Sequence, residues 1–251
     1  MKRQSGILMH ITSLPGPYGV GTMGANAYAF IDFLKKAGQS VWQLLPLTPT
    51  SYGDSPYQSV SSYAGNPYLI DLDMLAEEGL LKPEELSSVC WCSRENKVDY
   101  GILYQHRWEI LHKAYGRFAD WEKLDSFCAD NADWLPDYTL FMALKEQHGG
   151  APWYQWEKPL KYRDPDALWQ RRKELKEQLR FHSFVQYLFE KQWQALRSYA
   201  HENGISIIGD VPIYVPMDSA DIWAAPDQFQ LDEKLTPTAV AGCPPDAFSE
   251  N

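Results

Sequence analysis

The chain of 251 residues is long enough to bury a large core, and 45% hydrophobic beside 22% charged residues excludes an intrinsically disordered protein. Its 33 acidic residues outnumber 23 Lys and Arg, and the net charge of −10 argues against a nucleic acid or an anionic membrane as partner. Ten Trp and fifteen Tyr are more than a core usually needs, so we expect some of them to face a ligand groove.

The first 47 residues predict a parallel β-α-β unit. Residues 6–11 form an apolar run of strand length that ends in a turn-rich loop over residues 12–19. From Asn26, apolar residues recur at three- and four-residue steps, as on the buried face of a helix, and Gly38 stands where such a helix stops. Residues 40–47 are again short and apolar, which is typical of a strand that is buried on both faces of a parallel sheet.

The chain then enters a loop, residues 49–71, which we call the tyrosine loop. Helix and strand patterns are interrupted in it by Gly53, Pro56, Gly65 and Pro67. Its four tyrosines are Tyr52, Tyr57, Tyr63 and Tyr68. Aromatic rings among hydroxyls and carboxylates suit a sugar, whose C–H face stacks on a ring while its hydroxyls need hydrogen-bond partners. The alternative is that the four rings only pin a long loop to the core.

Residues 72–183 do not continue the alternation of strands and helices. They carry helical patterns over 103–115 and 138–147, with turns predicted at Leu135-Pro136 and at residues 151–153. Because such a span is too long for a single crossover, we predict an inserted, mainly helical subdomain. Its basic run, residues 171–176, is most simply a solvated helix face and does not indicate nucleic-acid binding.

The α/β pattern resumes at about residue 184, and residues 216–251 follow it as another long irregular segment. A helix with its stop at Asn203-Gly204 precedes a third strand over residues 205–215. Pro212 has no N–H for a ladder, so pairing should end at 209–211 and leave Asp210 at the carboxyl end of the strand. In barrel-type folds a carboxylate at the carboxyl end of a strand is typical of an active or binding site. The alternative is that Asp210 only caps the following turn, and we favour the role in a site. The predicted domains are therefore 1–71, 72–183 and 184–251.

The cysteines and the N-terminus predict a cytoplasmic protein. Cys90, Cys92, Cys128 and Cys243 form neither a disulfide framework nor a paired C-x-x-C metal site, so we expect free thiols and no metal. Residues 1–5 lead into a strand-like run without the apolar stretch of a signal peptide. No apolar run of about 18 residues, the length needed to span a membrane, occurs in the sequence.

Six ordered motifs point to a known family. They are HITSLPGPYGVG (10–21), SYGDSPYQS (51–59), AGNPYLIDL (64–72), GDVPIYV (209–215), DSADIW (218–223) and VAGCPPDAFS (240–249). In these motifs the chain resembles the amylomaltases, which are 4-α-glucanotransferases, also called disproportionating enzymes, of the α-amylase clan. The resemblance covers both ends of the chain and is weaker in the inserted region.

The resemblance implies a (β/α)₈ barrel, of which this chain supplies about three strands. It also implies transfer of an α-1,4-glucan segment to the 4-hydroxyl of an acceptor glucan or glucose with retention of configuration, without a cofactor, in maltooligosaccharide, starch or glycogen metabolism. Retention uses two carboxyl groups, a nucleophile and an acid/base. Since the family carries them on its fourth and fifth barrel strands, we expect no catalytic carboxylate within residues 1–251 and no activity of this chain alone.

The residues that the resemblance assigns lie on the donor side of the groove. Tyr57 resembles the tyrosine that stacks beneath the sugar at the cleavage site, with Ser55 as a neighbouring contact. Asp210 resembles a supporting aspartate that orients the sugar or a catalytic partner and does not attack carbon. Tyr52 is similar to an aromatic position that some members use as a remote glucan site.

The last motif resembles a mobile loop that covers the groove and contains Asp246 and Phe248. Ala247 stands where many members carry Tyr, so the contacts that this tyrosine makes with the acceptor sugar in those members are not expected here. A cover that excludes water would favour a sugar acceptor over hydrolysis. The alternatives are an α-glucan hydrolase of the same clan and a non-catalytic glucan-binding module. A Rossmann nucleotide domain is excluded because the loop after the first strand has no G-x-G-x-x-G.

Overall fold

The computed structural model describes residues 3–51, 53–93, 97–239 and 242. Within them, three short strands, β1 (Gly6–Leu8), β2 (Val41–Gln43) and β3 (Ser206–Ile208), form a parallel sheet in the order β1-β2-β3. The three predicted strands are confirmed in position and order but are shorter than predicted. Pro46 and Pro212 lack the N–H that would extend the β2 and β3 ladders, and β1 leaves its ladder for a 3₁₀ turn at Ile11–Ser13.

α-Helices are the main regular element of the described residues. They are α1 (Ala25–Lys36), α2 (Leu72–Glu77), α3 (Pro83–Ser87), α4 (Tyr100–Tyr115), α5 (Trp121–Asp130), α6 (Leu135–Gln147), α7 (Lys158–Lys161), α8 (Pro165–Glu174), α9 (Lys176–Glu202) and α10 (Ala220–Ala224). Gly38, with φ of 68°, follows α1 in the left-handed conformation that glycine adopts without strain, as predicted. None of the helices described is long and apolar enough to cross a membrane.

Two sequence predictions about helix boundaries are wrong. The turn predicted at Leu135-Pro136 is instead the start of α6, because a proline in the first turn of a helix gives up no intrahelical hydrogen bond. The helix predicted from residue 184 begins at Lys176, since the basic run before it contributes its last residue to α9. Residues 171–174 of the basic run lie in α8, where Arg171 pairs with Glu174 at 2.9 Å on the surface.

The sheet is covered on one face by the described residues and open on the other. Trp42 is fully buried against α1, where the Phe30 ring lies 5.1 Å from it, and α9 packs on β3. On the opposite face Leu8 and Ile208, which flank Gln43 in register, are 54% and 49% exposed. The prediction of burial on both faces is therefore wrong for this part of the chain, because no described element packs on the second face.

Helix α9 fixes the tyrosine loop through two buried glutamines. The Gln186 side chain accepts from the Gly65 amide at 2.7 Å and donates to the Gly65 carbonyl at 3.0 Å. Gln192 makes the same two bonds with Asp71, at 2.7 and 3.1 Å. Each side-chain amide thus pairs both the N–H and the C=O of one buried residue, and each of these groups would cost about 1–3 kcal/mol if left unpaired.

A buried arginine holds the same loop from α4. Arg107 is fully buried, donates to the Tyr68 and Ile70 carbonyls at 3.0 and 3.2 Å, and lies 5.6 Å from the Trp91 ring. Burial lowers the pKa of the guanidinium to about 10, so it remains charged at neutral pH. The planar guanidinium reaches both carbonyls from one position, with a different terminal nitrogen on each.

We therefore expect Arg107→Met to destabilise the fold. The methionine keeps much of the apolar stem but leaves two buried carbonyls without a donor, which costs about 1–3 kcal/mol. The measurement is urea denaturation of the purified chain, with Arg197→Met at an exposed position of α9 as the matched control. Equal midpoints for the two variants would show that the loop does not depend on Arg107.

Candidate functional site

The segment that follows β2 folds back on itself and presents Tyr57. An antiparallel bridge joins Thr50 to Ser59. The turn between them uses the left-handed conformation at Gly53 and at Asp54, with φ of 85° and 57°. Ser55 Oγ accepts from the Tyr57 amide at 3.3 Å. The predicted loop character of this segment is confirmed, and its own backbone and side-chain bonds define the position of the tyrosine.

Tyr57 and Asp210, predicted from separate motifs, are brought together. The Tyr57 hydroxyl donates to Asp210 Oδ2 at 2.6 Å, and this bond raises the pKa of the phenol. The other carboxylate oxygen, Asp210 Oδ1, accepts from the Val211 amide at 2.8 Å. One oxygen of Asp210 thus caps the turn after β3, and the other fixes the hydroxyl of Tyr57.

The position of this pair suits ligand binding. Both residues follow the carboxyl ends of neighbouring strands, Tyr57 after β2 and Asp210 after β3, at one edge of the parallel sheet. Tyr57 is 43% exposed, and its hydroxyl is held while the ring remains accessible. An aromatic face fixed beside a carboxylate can stack on a sugar ring and accept a hydrogen bond from one of its hydroxyls.

The loop tyrosines were predicted either to face a ligand or to pin the loop to the core, and the structure contains tyrosines of both kinds. Tyr68 is 5% exposed and packs against the Tyr104 ring at 5.8 Å, so it anchors the loop. Burial raises its pKa to about 12. Tyr57 and Tyr63 are exposed, as a ligand surface requires. Tyr52 lies outside the described residues.

Two features at this end of the molecule were not found from the sequence. The Tyr104 hydroxyl donates to Asp54, so α4 supplies a second tyrosine-carboxylate pair to the tip of the loop. His10, after β1, is buried; its pKa is lowered to about 4 by burial, and Nδ1 has no hydrogen-bond partner among the described residues. Both depend on contacts between segments far apart in sequence, which no local pattern signals.

The remaining predicted residues are placed as follows. Asp246, Ala247, Phe248 and Cys243 lie outside the described residues. Cys90, Cys92 and Cys128 are free, and the first two are exposed. Within the described ranges, no group of three or more His, Cys, Asp or Glu side chains is arranged to hold a metal ion.

Comparisons with known proteins show the family of this chain. The sequence profile of the family described as 4-alpha-glucanotransferase matches residues 9–251. The 4-alpha-glucanotransferase of Thermus thermophilus is 51% identical over all of this chain, and that of Clostridium butyricum is 49% identical over 96% of it. The chloroplastic/amyloplastic enzyme of Solanum tuberosum is 40% identical over 99%. The matches cover 50%, 50% and 45% of these relatives, so the chain spans about half their length.

Solved structures match the fold over nearly the whole chain. The amylomaltase from Streptococcus agalactiae in complex with acarbose superposes with a TM-score of 0.96 at 44% identity, over 99% of this chain and 51% of that one. The amylomaltase from Corynebacterium glutamicum superposes with a TM-score of 0.74 at 20% identity, over 98% and 35% of the two chains, a likeness of fold.

Proposed function

The chain belongs to the 4-alpha-glucanotransferase family, and on that basis we propose that it forms the donor side of the substrate groove of an amylomaltase-type enzyme. The enzyme would transfer a segment of an α-1,4-glucan to the 4-hydroxyl of an acceptor glucan or glucose, with retention of configuration. The observation that carries the proposal is the bond from the Tyr57 hydroxyl to Asp210, which joins two family motifs at the carboxyl edge of the sheet.

The open face of the sheet supports a barrel. We propose that β1, β2 and β3 are consecutive strands of a (β/α)₈ barrel and that Leu8, Gln43 and Ile208 face its interior when further strands close it. The three predicted regions, 1–71, 72–183 and 184–251, would then be the first two strands, an inserted helical subdomain, and the third strand with the start of a covering loop.

The roles of the individual residues follow from their contacts. Tyr57 would stack beneath a glucosyl ring, with its orientation fixed from Asp210 and its backbone held by Ser55. Asp210 would lie beside the reacting sugar and accept from a hydroxyl or orient a catalytic partner. We place the nucleophile and the acid/base in the half of the relatives that this chain does not span. The acarbose bound to the Streptococcus agalactiae relative supports α-glucans as the ligand class.

The proposed function is tested by products formed from maltotriose. We define the completed enzyme as residues 1–251 continued by the C-terminal half of the Thermus thermophilus relative. Glucose together with maltopentaose indicates transfer, whereas hydrolysis by an α-glucan hydrolase yields no longer oligomer. A cooperative melting transition without any product would favour the non-catalytic glucan-binding module.

We expect Tyr57→Ala in the completed enzyme to lower kcat/KM for maltotriose about 10-fold, because a stacked ring contributes on the order of 1 kcal/mol beyond its buried area. Tyr57→Phe keeps the ring and removes only the bond to Asp210, so its loss should be smaller. Tyr162→Ala, at an exposed tyrosine beyond α7, is the control. Unchanged kinetics for Tyr57→Ala would remove this residue from the site.

A further inference from the structure

A cavity of about 330 Å³ lies beside the tyrosine loop, between that loop, the start of α6 and the segment around α10. Its walls include Tyr63, Trp134, Phe229 and Asp221. The Tyr63 and Trp134 rings are nearly parallel, with centroids 6.2 Å apart and an interplanar angle of 15°. Because Tyr63 is 67% exposed, the face of its ring that is not paired with Trp134 is open to solvent.

The wall that carries Tyr63 is held rigidly. Ser61 Oγ accepts from the Tyr63 amide at 3.2 Å, and the Asp221 carboxylate accepts from the Ser62 amide at 3.0 and 3.3 Å. The Ala220 amide donates to the Val60 carbonyl at 2.8 Å, so α10 and the loop are joined by main-chain as well as side-chain bonds. A ring presented from a fixed backbone binds a ligand without a large ordering cost.

The polar groups of the cavity are acceptors and amides. Asp137 is already paired with Arg163 and Arg172, at 3.0 and 2.8 Å. Asp221 is partly buried, and its carboxylate accepts from one backbone amide, that of Ser62. The carboxylate oxygens therefore keep lone pairs that can accept from a ligand hydroxyl. Gln228 adds an exposed amide. An aromatic platform beside a carboxylate acceptor and an amide is the combination that recognises a neutral sugar ring.

Two short segments of chain connect the residues of this cavity to Tyr57 and Asp210. Tyr63 lies six residues after Tyr57, and Val215, another lining residue, lies five residues after Asp210. A fully extended chain spans at most about 3.6 Å per residue, so the Val215 and Asp210 Cα atoms are within about 18 Å. A glucan of several residues can therefore contact both places at once.

We propose that this cavity is an accessory subsite for α-1,4-glucans, which rests on the function proposed above. Tyr63 supplies the stacking face, and Asp221 and Gln228 bind hydroxyls. A glucan held in the Tyr57-Asp210 groove and in this subsite gains affinity from the second contact by effective concentration, so the subsite favours long chains over short ones.

The test compares substrates of different length on the completed enzyme. Tyr63→Ala is expected to raise the ratio of KM for amylose to KM for maltotriose about 5- to 10-fold, the effect of losing one stacking contact. Asp221→Asn, which is nearly isosteric, should raise it in the same direction. Tyr162→Ala, whose tyrosine is exposed and does not line the cavity, should leave the ratio unchanged. An unchanged ratio for both Tyr63→Ala and Asp221→Asn would overturn the proposal.

A binding measurement separates this proposal from the proposed function. Calorimetric titration with maltoheptaose should give an affinity about 5- to 10-fold weaker for Tyr63→Ala than for the unsubstituted protein, with cellohexaose as the β-linked control. Transfer from maltotriose with equal maltoheptaose affinities would leave the proposed function standing and refute the subsite. Weaker maltoheptaose binding by Tyr63→Ala without any transfer would refute the function and retain a glucan site.

Discussion

Residues 1–251 expressed alone are expected to form neither glucose nor maltopentaose from maltotriose. Retaining transfer requires a nucleophilic carboxylate and an acid/base about 5–5.5 Å apart across the sugar. Asp210, the carboxylate beside Tyr57, accepts from a tyrosine hydroxyl and a backbone amide, which suits an orienting role. The completed enzyme, assayed at equal concentration, is the positive control for folding and substrate quality.

The same preparation should associate in solution. The exposed side chains Leu8 and Ile208 form one open face of the sheet, and β1 and β3 are its edges among the described residues. Unpaired strand edges form hydrogen bonds with other chains, and exposed apolar faces pack against each other. Light scattering after size exclusion measures the expected dimers or larger species. A monodisperse monomer that makes both products would contradict the expectation and place the catalytic carboxylates inside residues 1–251.

Asp210→Asn in the completed enzyme should lower kcat about 100-fold, the size of effect that removal of one preorganised electrostatic group has at a reacting centre. The fold should persist because the amide keeps an oxygen for the Val211 amide and a polar atom toward Tyr57. Turnover of maltotriose and the melting temperature are measured together. Asp130→Asn, at the exposed end of α5, is the matched control.

The two roles of Asp210 predict opposite results. If its main role were to cap the turn after β3, the variant would melt at a lower temperature and turn over normally. A loss confined to kcat, with an unchanged melting temperature, would instead indicate that the charge acts on the bound sugar or on a catalytic partner. The Tyr57→Phe variant then tells how much of that loss is transmitted through the hydroxyl bond.

Local chemistry made part of the fold predictable. Some signals act within a few residues, such as the apolar periodicity of α1, the glycine after it and Pro212 after β3. The strands, the first helix and the position of Asp210 at a strand end could therefore be predicted from the sequence alone. The strands came out shorter than predicted because an apolar run also continues into the extended segments that leave the sheet. Periodicity does not separate a paired residue from an unpaired one.

The contacts of the site depended on tertiary structure. The Tyr57-Asp210 and Asp54-Tyr104 bonds join residues 153 and 50 positions apart, and no pattern of composition or spacing signals such pairs. The exposure of each loop tyrosine also depends on tertiary contacts, although Leu69 and Ile70 after Tyr68 are more apolar than Ser62 and Ala64 beside Tyr63. Burial of Tyr68 follows from α4 packing beneath it, whereas the segment that carries Tyr63 is held at the surface by α10.

Gln186 and Gln192 couple the opening of the tyrosine loop to that of α9. Because each of them closes two hydrogen bonds on the peptide groups of Gly65 and Asp71, the tyrosine loop cannot lift away without exposing buried amides on both sides of the contact. The loop and α9 therefore belong to one cooperative opening unit, and the amide protons of Gly65 and Asp71 exchange with solvent only when that unit opens. The tyrosine loop therefore shares the stability of the longest helix in the described residues, and its own Val60, Ala64, Tyr68, Leu69 and Ile70 belong to the hydrophobic core.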